Sequence, residues 1–370
     1  MNFKSALVAS VSVAALMGST VAGFAQTDLT ALYEAAKAEG QLTTIALPHT
    51  WCGYGEVIAA FKAKYPGITI NELNPDAGSK DEIEAIKANI GNTGPQAPDV
   101  IDVGLSFGPS SKDEKLIQPY KVSTWDSIPA DAKDADGYWY GDYYGVLSFG
   151  VNKTVQAAMP TSWADLMKPE FANSVAFAGD PRTSNNAILS VYAAGLSTGA
   201  APGEAAAKAG LEFYKKLNDA GNFVAVDAEA SVIAQGTATV VTNWDYNLLA
   251  VRDGFEGNPE FDVVVPSDSV VAGVYIQAIS AYAPHPNAAK LWMEYLYSDE
   301  GQLGWLKGYC HPIRFNDIAA RGGVPQELLD ALPAAENYAK AVFPSLADQA
   351  AAKAYIAANW DTVVGANVTK

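Results

Sequence analysis

The alternation of elements over residues 29–103 constrains the fold more than any other feature of the chain. Leu29–Glu39 has helical periodicity and stops at Gly40, which suits a helix C-cap. Leu42–Leu47 is apolar and β-prone. Glu56–Tyr65 is an amphipathic helix that ends at Pro66-Gly67, and Ile68–Leu73 is the next strand. Asp81–Ile90 places Ile83, Ile86 and Ile90 on one helical face, and Pro98-Asp99 leads into the strand Val100–Val103. This β-α-β-α-β order predicts a parallel sheet with helices on both faces, hence an α/β fold. Ligands of such sheets gather at the carboxyl ends of the strands. The loops to watch are therefore His49–Gly55 and Gly104–Ser110.

Met1–Ala25 has a basic start at Lys4, an apolar run to about Ala22, and small residues Gly23 and Ala25 before Gln26. This is the pattern of a cleavable secretory signal peptide. Polar interruptions at Ser10, Ser12, Gly18, Ser19 and Thr20 make it a poor membrane anchor. Export implies a periplasmic location without cytoplasmic ATP or NAD, which removes most enzyme classes. The remaining length suits two lobes, not one core. The chain carries a net charge of −17, and loss of the leader's single lysine makes it more negative. Such a charge repels nucleic acid. It serves solubility, or helps to attract a cationic solute.

Cys52 and Cys310 are either a disulfide, favoured by an oxidising compartment, or two buried thiols. His49, His285 and His311 lack metal-ligand spacing, so no metal or cofactor is expected. Further along, Gly137–Lys153 is strand-like and rich in aromatics and glycine. Helices are expected from Ser162, over 186–194 and over Glu204–Ala220. Thr237–Thr242 reads as a buried strand, Phe261–Pro266 and Gly273–Ser280 as later ones, and Ala350–Ala358 as helical.

Several segments together resemble the periplasmic solute-binding proteins of ABC importers, of the iron, polyamine and phosphonate type. They are Leu32–Leu42, Gly137–Lys153, Gly179-Asp180-Pro181-Arg182-Thr183-Ser184, Pro284–Trp292 and Ser298-Asp299-Glu300-Gly301-Gln302. The resemblance implies a periplasmic-binding-protein-like fold of type II, with two α/β lobes joined by two β-strand hinges. Lobe 1 would comprise residues 26–147 and 271–317, and lobe 2 residues 148–270 and 318–370. The lobes would close on a solute by hinge rotation and deliver it to an inner-membrane permease, the protein acting as a monomer without catalysis. A signalling receptor would show the same sequence features.

Candidate binding residues follow from these loops. Trp51 and Tyr54 offer aromatic faces after the first strand, in a Trp-x-x-Tyr pattern that also resembles polyamine-binding members. Packing under a neighbouring loop is the alternative for both. Ser106 and Phe107 end the third strand and suit solute contact or packing equally. Arg182 could clamp an acidic group, with Ser184 and Asn185 at a helix start, or pair internally with Asp180. Asp245, beside Trp244, could hold an ammonium group or cap the next helix. Tyr275 lies near the second hinge that the resemblance implies. The set favours a small amine-bearing solute, a zwitterionic or ω-amino acid, with a polyamine next. A structural Arg182 favours the polyamine, and a structural Asp245 favours an organic phosphonate or another anion. Ferric iron would need a tyrosine pair in the second lobe, where Thr242–Tyr246 holds only Tyr246, while Tyr143-Tyr144 precedes the hinge. A secreted serine hydrolase is the reading from another class. Gly104–Gly108 and Gly195–Gly199 both match Gly-x-Ser-x-Gly, but neither sits in a strand–Ser–helix elbow.

Overall fold

The computed structural model describes residues 28–332, 338 and 340–369, so the leader Met1–Ala25 lies outside the described residues. Among the described residues eleven strands run as β1 Gln41–Ile45, β2 Thr69–Leu73, β3 Val100–Gly104, β4 Ile117–Gln118, β5 Tyr140–Asn152, β6 Val175–Phe177, β7 Phe223–Asp227, β8 Val240–Trp244, β9 Phe261–Val264, β10 Ala272–Ser280 and β11 His311–Pro312. Between and after them lie α1 Leu29–Glu39, α2 Tyr54–Lys64, α3 Ser79–Ala88, α4 Gly108–Asp113, α5 Asn185–Ser197, α6 Glu204–Asp219 and α7 Ala230–Ala234. The remaining helices are α8 Asp245–Gly254, α9 Pro286–Leu296, α10 Asp299–Lys307, α11 Phe315–Ala320, α12 Gln326–Asp330 and α13 Leu346–Val363.

The first helix forms as the pattern predicts. Asp28 accepts from the N–H groups of Thr30 and Ala31 at its start, and Gly40 ends it at φ 74°, where a side chain would be strained. The parallel sheet forms only in part. β1 and β2 pair in parallel, but β3 joins antiparallel β10, so the sheet system is mixed. β3 still touches β1, since Asp99 N–H donates to the Thr43 carbonyl. Three residues on, the Asp102 N–H donates to the Glu82 carboxylate instead, and the ladder does not continue. The stretch after Ser162 forms a 3-10 turn over Trp163–Met167, held by a capping box of Ser162 with Asp165, not a longer helix.

The aromatic stretch forms one long strand. Residues 140–146 of β5 pair with β10, and residues 147–152 pair with β8 and β9. β5 therefore belongs to both halves of the sheet. On the far half β6 lies parallel to β7 and β8. There α5, α6 and α13 pack together, with Phe177, Tyr214, Phe223 and Trp360 as a ring cluster beneath them. The structure forms the disulfide Cys52–Cys310, with Cα atoms 5.4 Å apart across 258 residues.

Candidate functional site

A cleft of about 480 Å³ opens where several strands end. One wall comes from the segments after β1 and β2, together with the first turn of α3. The other comes from the segments after β6, β7 and β8 and the first turn of α5. Backbone at Gly78 nearly meets Thr183 and Ser184 across it. The charged residues lining the cleft are Asp76, Asp81, Glu82, Asp102, Asp180, Asp227 and Glu229. No Lys, Arg or His is among the described lining residues.

The polar floor is a network of carboxyls and phenols. Asp102, 5% exposed, accepts at Oδ2 from both Tyr54 Oη and Tyr143 Oη, each at 2.7 Å. Its buried Oδ1 has no hydrogen-bond partner among the described residues. Trp51 Nε1 donates to Tyr143 Oη at 2.7 Å, so the Trp51 ring is tied to the same network. Gln277 Nε2 donates to Tyr54 Oη at 2.9 Å and to Asp142 Oδ2 at 3.0 Å. Burial pushes the Asp102 carboxyl up to about 7, against the hydrogen bonds from the two tyrosines. Burial raises Glu82 and Asp142 well above the usual carboxylate range, and the nearby Asp102 charge adds to both shifts.

The opposite wall offers donors. Ser184 at the N-cap of α5 makes no capping bond to the helix backbone; its hydroxyl donates to the Asn186 side-chain oxygen, which also accepts from the Ala187 N–H in the first turn. Asn185, 2% exposed, has an unpartnered Nδ2 there. Asp76, Asp81, Glu82 and Asp102 lie on the first wall, and Asp180, Asp227 and Glu229 share the second with these donors, so the cleft offers a polar solute both kinds of group.

The family profile described as bacterial extracellular solute-binding protein matches residues 96–341, more than half of the chain. The chain belongs to this family. No curated protein sequence matches this solute-binding protein. Its fold is that of the periplasmic binding proteins. AfuA from Actinobacillus pleuropneumoniae, solved with fructose-6-phosphate, is 20% identical with a TM-score of 0.68, covering 88% of this chain and 98% of its own. MotA from A. tumefaciens B6, solved with glucopine, is 16% identical with a TM-score of 0.69, covering 88% and 99%. A putative spermidine/putrescine transporter protein from Listeria monocytogenes is 13% identical with a TM-score of 0.61, covering 83% and 94%.

The solute-binding protein brings four of the sequence-derived candidates to the cleft: Trp51, Ser184, Asn185 and Tyr275. Trp51 rests edge-on against Tyr246 and Tyr275, with ring centroids 5.5 and 5.4 Å away. Six others lie elsewhere. Tyr54 is fully buried behind Asp102, and Trp244 is fully buried beside Tyr246. Ser106 and Phe107 are buried under α13, where Lys353 Nζ donates to the Ser106 carbonyl and sits 3.8 Å from the Phe107 ring centroid. Arg182 is turned away, held by Asp180 and by Asp361 and Asn367 near the C-terminus. Asp245 is buried and accepts from the Val146 N–H and from Tyr338 Oη. It begins α8 but faces β5 and not the cleft.

Sequence reasoning missed the acidic wall. Asp81 and Glu82 open a helix, where charges usually face water. Asp102 did carry a signal, because a carboxylate inside Val100-Ile101-Asp102-Val103 breaks an apolar strand.

Proposed function

We propose that this protein is the periplasmic solute-binding component of an ABC importer and captures a small amine-bearing solute. One observation carries the solute class: the cleft is lined by seven carboxyl residues and, among its described lining, by no cationic side chain. An anion entering it would meet a carboxyl-rich lining, in which Asp180 is ion-paired to Arg182 from outside the cleft, whereas an ammonium group gains charge-assisted hydrogen bonds. Trp51 adds an aromatic face that suits a cation. With Arg182 engaged by Asp180 and Asp361, an acidic end of the solute would rest on Ser184, Asn185 and the start of α5. A zwitterionic or ω-amino acid would use the Ser184 and Asn185 groups as well as the carboxyls, and a polyamine the carboxyls alone.

In this reading the leader Met1–Ala25 directs export. The halves that share β5 are the two lobes, 26–147 with 271–317 and 148–270 with 318–370, and they close over the solute for delivery to a permease. A thermal-shift panel tests it with putrescine, γ-aminobutyrate, an α-amino acid, an aminoalkylphosphonate and a sugar phosphate. An amine at about 100 times its Kd stabilises the protein by roughly 2.7 kcal/mol. Stabilisation by the sugar phosphate alone refutes the reading.

A further inference from the structure

Asp102, Asp142 and Glu82 form a buried carboxyl cluster without a cation, and Asp102 and Glu82 of this cluster line the cleft. Titratable groups face them from each packed element. They are Tyr54 on α2, Asp81 beside Glu82 on α3, Tyr143 on β5, Tyr246 on α8, Tyr275 on β10, and Tyr297 after α9. Every one is an acid or a phenol. Three buried carboxylates cannot all ionise in such surroundings, because each loses hydration and repels the others. Asp142 lies close enough to Asp102 for the charge on Asp102 to push it up, and Gln277 ties Asp142 to the Tyr54 that donates to Asp102. The unpartnered Asp102 Oδ1 provides an acceptor on a residue that lines the cleft.

We propose that Asp102 and Glu82 are the ammonium subsite of the cleft, and that a solute amine docks there by displacing a proton that the empty cluster holds. This rests on the amine-bearing solute proposed above and adds where the charge sits and what leaves. The arriving R–NH3⁺ replaces one H⁺ in the cluster, and that proton passes to the buffer, so charge balances without any covalent step. Capture is therefore linked to pH. Below about pH 7, where burial keeps Asp102 largely protonated, binding releases a proton and affinity weakens as the solution is acidified. Above it Asp102 is already ionised and the dependence flattens.

Calorimetric titration of the full mature protein with putrescine and with γ-aminobutyrate tests this. It is run from about pH 5.5 to about pH 8.5 in buffers of different ionisation enthalpy. The expected release is about one proton per amine at about pH 6, falling toward zero above about pH 8, with Kd rising up to about tenfold per unit of acidification. Asp102→Asn removes the release and the pH dependence and weakens binding more than about tenfold. Glu82→Gln also weakens binding and serves as the second variant if Asp102→Asn does not fold, as checked by circular dichroism. An amine that binds with no buffer-dependent heat and with unchanged affinity in the folded variants overturns this proposal alone. If neither amine binds at any pH, the amine-bearing solute reading falls as well.

Discussion

Removal of the Cys52–Cys310 bridge should cost this protein both stability and its Trp51 wall. The bridge closes 258 residues, and the chain-entropy relation for a loop of that length yields roughly 5.5 kcal/mol. Residual compactness of the denatured chain lowers the expected loss to about 3–5 kcal/mol. The local backbone adds a second effect. Cys52 at φ 48° and Gly53 at φ 69° are consecutive left-handed residues, and Tyr309 beside the other cysteine stands at φ 70°. Non-glycine residues hold such angles at a cost of about 1 kcal/mol or more each, so a released loop relaxes. Trp51 precedes Cys52 directly and donates to Tyr143, so relaxation withdraws the ring from the cleft. The assay compares wild type with Cys52→Ala/Cys310→Ala in guanidinium unfolding, followed by calorimetry with the amine that stabilises the wild type. The variant should lose about 3–5 kcal/mol and bind about tenfold more weakly. A variant within about 1 kcal/mol of wild type, with unchanged affinity, refutes the reasoning. The loop would then be held by the close seating of Gly308 on the Cys52 backbone.

Three further outcomes follow from the geometry. Gly104→Ala places a Cβ on the Asn185 side chain, so amine affinity should fall more than about tenfold while the thermal midpoint drops only a few degrees. Arg182→Ala should leave solute affinity unchanged, since Arg182 is held by Asp180, Asp361 and Asn367, but cost about 1 kcal/mol in denaturant unfolding. Burial pulls Lys353 down to about 8 from the usual lysine value of about 10.4, so between these values the unfolded chain binds more protons than the folded one. Stability attributable to Lys353 therefore rises with pH across that window by about 2–3 kcal/mol, and Lys353→Met should flatten the rise in unfolding curves from about pH 8 to about pH 10.

The early elements were legible because their signals are local. The helix over Leu29–Glu39 needs only its own periodicity, Asp28 and Gly40. The departure of β3 from the parallel pair was not legible, because its partner β10 lies far along the chain, with Val100 opposite Ile279. The same division applies to the site. Trp51, Ser184, Asn185 and Tyr275 sit at strand ends or helix starts, which is where ligands of α/β sheets collect. Arg182 left two readings open because its deciding partners, Asp361 and Asn367, are 179 and 185 residues away. No local spacing encodes that contact.

The acidic wall shows why net charge alone could not separate solubility from solute attraction. A chain of −17 can spread its excess over a hydrated surface, where screening makes each charge nearly inert. Here Asp102, Asp142 and Glu82 are instead drawn into one dehydrated cluster. Their mutual repulsion would be destabilising if the site's only role were structural, because apolar residues of similar size would pack there at less cost. The tyrosines around them do not neutralise the cluster. They orient it, since both phenols converge on one Asp102 oxygen and leave the other without a partner. Under the proposed reading that oxygen carries the proton in the empty cluster and meets the ammonium group in the filled one. The composition counts the carboxyls, but the strand and helix that bring residues 82, 102 and 142 together decide what they are for.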